Sequence, residues 1–177
     1  MLLIDLVEND ALNVYEGSEE MKLLKQAVAA SNISTWRAVM DRVADGAWRV
    51  SFAVRGWMAA AVDLEVARSW VGDDVGRARV LAAAAPVGGK ELPAVTRYLL
   101  EDFNGDDEVA SALVGQFISG MWTGPESNRL KAQIEQVQEW TRRPGEGSGV
   151  IKWARRLLEY LRKSLKSVEQ REAEDRW

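Results

Sequence analysis

An all-α fold of stacked antiparallel helical hairpins, an α-solenoid of about nine helices, is what this sequence predicts. Three observations carry that expectation. Apolar residues recur three and four positions apart in nearly every segment, and no stretch alternates as a strand would. The predicted connections are only a few residues long, which forces consecutive helices to lie antiparallel. Of the eight tryptophans, most fall inside helix-period apolar stripes, while histidine and cysteine are absent.

The elements follow in order. The chain opens inside an apolar pattern (Leu2, Leu3, Leu6, Val7), which reads as a boundary within a longer protein. Asp5 and Glu8 follow at once with no basic segment, so no signal peptide is read there. Ser18 suits the cap of a helix carrying Met21, Leu24 and Val28. Ser34 or Thr35 suits the next, with Trp36, Val39, Met40 and Val43 on one face and Asp45-Gly46 breaking it. A strongly apolar helix runs from Trp48 through Phe52 and Trp57 to Val62. Asp63 opens a short helix with Val66 and Trp70, closed by Gly72. Asp73 or Asp74 opens another, ending at Pro86 after four alanines.

The loop Pro86-Val87-Gly88-Gly89 separates two halves of what reads as one helical-repeat domain over residues 1–177. A helix through Leu92, Val95, Leu99 and Phe103 ends at Asn104-Gly105. Asp106 suits the cap of the next, with Val109, Leu113, Phe117 and Ile118. Thr123-Gly124-Pro125-Glu126 reads as a capping box opening a helix with Leu130, Ile134, Val137 and Trp140 aligned. After the loop from Arg142 to Gly149, Ser148 suits the cap of a final long helix. Trp140 and Trp153 flank that loop, so antiparallel packing predicts contact between their rings.

Composition excludes several function classes. Without histidine or cysteine the commonest metal ligands, the neutral-pH acid–base and the best protein nucleophile are missing, so no metal, no cofactor and no enzymatic activity are expected. Absence of cysteine fits a reducing, cytoplasmic setting. The longest uncharged run, Val109 to Pro125, contains Gln116, three glycines and two serines and falls short of the ~20 apolar residues of a membrane span.

Two motifs fail on inspection. Gly88-Gly89-Lys90 lacks a phosphate loop's earlier glycine, since Ala84 stands there, and Glu91 replaces its Ser or Thr. Asp102, Asn104, Asp106 and Glu108 imitate the start of a calcium loop, but Asp107 and Leu113 occupy the glycine and glutamate positions. These acids fit better as caps around a helix start. Paired carboxylates for acid–base work lack the apolar setting that would raise one pKa. Trp36, Trp57, Trp140 and Trp153 share faces with aliphatic residues, which favours core packing over a stacking platform; Trp177 ends a charged tail.

Charge is unevenly spread. Residues 1–128 are net −8 and residues 129–171 net +6, within a total of −4. The last helix combines an apolar stripe (Val150, Ala154, Leu157, Leu158, Leu161, Leu165, Val168) with a basic remainder. Arg142, Arg143, Arg155, Arg156, Arg162, Lys163 and Lys166 are the candidate partner-binding residues. A solvated face, a phosphate backbone contact and an acidic protein contact all fit such a pattern. The acidic character of the rest favours a protein partner over nucleic acid.

Several segments resemble known repeats. Trp48-Arg49 with Phe52-Ala53 and Trp57, and Val150-Ile151-Lys152-Trp153-Ala154, are similar to HEAT-like repeat helices, where an apolar and a basic residue begin the second helix and a small residue packs a turn later. Residues 86–177 resemble the C-terminal end of large bacterial HEAT-repeat proteins that carry NACHT or related STAND-type NTPase domains upstream and are associated with antiphage defence. The matching pieces are Ala85-Pro86-Val87-Gly88-Gly89, Phe103-Asn104-Gly105-Asp106-Asp107, Ser119-Gly120-Met121-Trp122-Thr123-Gly124-Pro125-Glu126-Ser127, Trp153-Ala154 with Leu157 and Leu161, and the ending from Gln170 to Trp177. The resemblance implies a C-terminal sensor or scaffold segment that recognises a protein or its own upstream domain. It carries over no catalytic residue, because the family's nucleotide-binding motifs are absent from this sequence.

Overall fold

A computed structural model describes residues 19, 33–45, 63–119 and 122–174. Every regular element among them is helical, and no strand occurs among the described residues. The described helices are α1 (Ile33–Ala44), α2 (Leu64–Val71), α3 (Val75–Ala82), α4 (Ala94–Asp102), α5 (Asp107–Ile118), α6 (Glu126–Arg142) and α7 (Ser148–Glu174). Each coincides with a helix expected from the periodicity. The two other expected helices, through Met21–Val28 and Trp48–Val62, lie outside the described residues, as does Trp177. Among the described residues, no helix is long and apolar enough to cross a membrane.

The chain divides into two compact units, Met1–Pro86 and Val87–Trp177. The division falls at the Pro86–Gly89 loop, where the sequence has its break between halves.

In the first unit, α2 begins where the Asp63 carboxylate accepts the Glu65 N–H at 2.7 Å, and it ends at Gly72, whose φ of +53° suits a residue without Cβ. Asp74 caps α3 in the same way, accepting from the Arg77 N–H. Trp36 of α1 meets Trp70 of α2 edge-on, with ring centroids 5.6 Å apart. The Trp70 indole donates to Asp41 at 2.8 Å, and Arg77 spreads over the Trp70 ring while bridging to Asp41 at 3.2 Å. Arg77 thus ties α3 to α1 through an aromatic core, with Val39, Met40, Ala67 and Leu81 buried around it.

The second unit holds α4 to α7. α6 and α7 form an antiparallel hairpin: Trp140, near the end of α6, stacks on Trp153, near the start of α7, with centroids 6.2 Å apart. At the hairpin's open end Ser127 of α6 meets Glu172 of α7, and Lys131 meets Glu169 at 2.8 Å. Phe117 of α5 packs edge-on against Trp140 at 5.3 Å. Both buried indoles find acceptors, Trp140 on the Gly89 carbonyl and Trp153 on the Ala110 carbonyl. The rings are therefore core residues, as their faces predicted. Asp106 caps α5 by accepting from the Glu108 and Val109 N–H groups, the role expected for that acidic cluster.

Ser34 and Thr35, expected to cap α1, lie inside it, and two further expected caps are also corrected. Ser148 lies inside α7 as its first residue, and the Gly149 and Val150 N–H groups donate instead to the Glu101 carboxylate from α4. The Thr123–Glu126 capping box does not form. α6 begins at Glu126 after an extended Pro125 that makes no side-chain cap, and the Ser127 N–H and hydroxyl donate to Glu172. In both cases a carboxylate distant in sequence satisfies the orphan donors and complements the positive end of the helix dipole. The close approach of α4 to α7 also requires glycine. A Cβ on Gly149 would overlap the Leu100 carbonyl, and one on Gly147 the Glu101 carboxylate.

Candidate partner-binding face

α7 owes its form to its composition. Leucine, arginine, lysine, glutamate and glutamine dominate it, all strong helix formers. One stripe is buried: Val150, Trp153, Ala154, Leu157, Leu158, Leu161 and Val168. Leu165, expected on that stripe, is half-buried. The buried residues fix the rotation of the helix, so the cations between them face outward.

The seven candidate cations divide into two groups. Arg143 and Arg156 are engaged within the chain. Arg143 bridges to Glu91 at 2.7 Å, and Arg156 to Asp107 at 3.0 Å. Hydrogen bonding from Arg143, and then its charge, hold the Glu91 carboxyl below the ordinary glutamate range against an opposing effect of desolvation; Arg97 and Lys90 add lesser contributions. Lys152, also basic and on α7, donates to the Asn104 carbonyl at 3.3 Å.

Arg155, Arg162, Lys163 and Lys166 are exposed and make no ion pair or hydrogen bond among the described residues. They occupy one sector of α7, roughly 100° wide and opposite the buried stripe. Arg142 is exposed as well but stands apart, at the end of α6. The face thus gathers four of the seven on one rigid helix. Arg162 and Lys166 repel across one turn, while Glu159, one turn from Arg155, Arg162 and Lys163, offsets only part of the positive charge. An acidic surface docked against it removes that repulsion.

Two neighbours on this side of the hairpin were not singled out by sequence. Glu159 is exposed within the basic sector and makes no ion pair among the described residues. Tyr160 is 50% exposed about 100° further round the helix, on the flank of the basic sector. A helical wheel carries both signals, but only the observed burial shows which flank of α7 stays open. Elsewhere, Trp122 is 49% exposed. With Ile118, Arg129 and Gln133 it lines an open groove of about 220 Å³ beside α6.

Among the described residues, no group of three or more Asp or Glu side chains is placed to hold a metal ion. No protein-family model, curated protein or solved structure matches the chain.

Proposed function

We propose that this chain is a non-enzymatic helical recognition domain that binds an acidic protein surface through the outer face of α7. One observation carries the reading: four cations that make no ion pair among the described residues stand on one side of a helix whose opposite side is packed into the core. A face held so rigidly loses little conformational freedom on binding. The resemblance of residues 86–177 to the ends of NACHT/STAND-type defence proteins supports a scaffold or sensor role, in which the acidic surface belongs to a cytoplasmic protein partner or to an upstream domain. In that setting the helical hairpins are units of an α-solenoid.

The test is charge reversal. Arg155, Arg162, Lys163 and Lys166, all changed to glutamate, lie off the buried stripe, so helicity and unfolding midpoint should stay close to wild type. Wild type should bind a net-acidic helical peptide of mixed glutamate and lysine, and the variant should not. Mixed-sequence DNA and RNA, assayed at about 50 and about 200 mM salt, provide the contrast. Tight nucleic-acid binding that collapses at the higher salt, seen in wild type alone, would make this a nucleic-acid module instead.

A further inference from the structure

We infer that the occupant of this face is an α-helix of a protein partner, carrying carboxylates opposite Arg155, Arg162 and Lys166 and a lysine or arginine opposite Glu159. The inference rests on the reading of α7 as a protein-recognition surface and gives that partner its chemistry.

The spacing supplies the argument. Arg155, Glu159, Arg162 and Lys166 are separated by four, three and four residues. Residues at those intervals line up along a single row of a helix, the geometry by which one helix reads another. The row runs about 16 Å along the axis, or three turns. Its charge order is positive, negative, positive, positive, and none of the four is neutralised by an ion pair among the described residues.

Glu159 separates the classes of partner. A phosphate backbone presents uniform negative charge, so contact along this row would press phosphate against the Glu159 carboxylate. A second helix repeats its side chains at the same intervals and places one opposite charge there. Register is then fixed by repulsion as much as by attraction, since a shift of one turn sets like charges together.

The experiment uses the full 177-residue chain. Two helical peptides carry the complementary row, one ordered Glu-Lys-Glu-Glu for parallel docking and one ordered Glu-Glu-Lys-Glu for antiparallel docking. A third has the same composition with the charges moved off the row, and a single-stranded oligonucleotide completes the set. One complementary peptide should bind at least about tenfold more tightly than the shuffled one. Glu159→Lys should weaken that complex, and replacing the peptide's lysine by glutamate should restore it, as coupled charges in a double-mutant cycle do. Equal binding of complementary and shuffled peptides, or indifference to Glu159→Lys, would overturn the register while leaving acidic-protein recognition intact. Preference for the oligonucleotide, or no binding by any acidic probe, would overturn both.

Discussion

Trp140 shows how much one side chain concentrates. It is fully buried, touches Phe117 and Trp153, and donates to a loop carbonyl at Gly89. Three helices and one loop thus meet on one ring. Trp140→Ala or Trp153→Ala should each lower unfolding stability by about 3–5 kcal/mol. Because the rings stack on each other, the double substitution should cost clearly less than the sum. Denaturant unfolding of the four proteins of that cycle measures it, and strict additivity would mean the rings act independently. Glu91 offers a different single-residue test. Its carboxyl is held below the ordinary glutamate range chiefly by the hydrogen bond from Arg143. A pKa depressed by folding gives stability that is present above the ordinary range and lost as pH falls through the lowered value. In a carboxyl NMR titration, Arg143→Gln should move Glu91 up toward the ordinary glutamate range. An unchanged midpoint would show that the bridge does not form in solution.

At the scale of elements, α7 is fastened at both ends by carboxylates. Glu101 receives its first N–H groups, and its own Glu172 receives those of α6. Glu101→Ala leaves two part-buried donors without their acceptor, and such a loss costs about 1–3 kcal/mol. Hydrogen exchange at Gly149 and Val150 should rise in this variant while exchange at the centre of α7 changes far less. Uniform protection across the helix would show that water replaces the carboxylate at no cost. The helices themselves were legible in sequence, because the spacing of Val150, Ala154, Leu157 and Leu161 needs no knowledge of a neighbour. Local caps were legible for the same reason: Asp63, Asp74 and Asp106 reach N–H groups two or three residues on. Ser148 and Thr123 looked equivalent, yet their helices took acceptors from 45 to 49 residues away. Local sequence holds no information about a carboxylate delivered by another helix.

For the molecule as a whole, the second unit closes a core of its own around Trp140 and Trp153, and its caps and ion pairs join α4 to α7. A fragment of residues 87–177 should therefore fold alone, with a helical circular dichroism spectrum and cooperative thermal unfolding. A fragment that melts without a transition would show that this core is incomplete by itself. The candidate face divides along the same line between sequence and structure. The sequence by itself determined the all-helical class, the positions of the seven described helices, the contact of the two loop-flanking tryptophans and the excess of cations in α7. All of these follow from periodicity, turn residues and charge counts within a few positions of one another. Only the tertiary structure decided which cations remain open. Arg143 and Arg156 met Glu91 and Asp107, 52 and 49 residues earlier in the chain, whereas Arg155, Arg162, Lys163 and Lys166 met no acid among the described residues. The physical reason is that an ion pair depends on a distance of a few ångströms, and that distance exists only after the helices have packed.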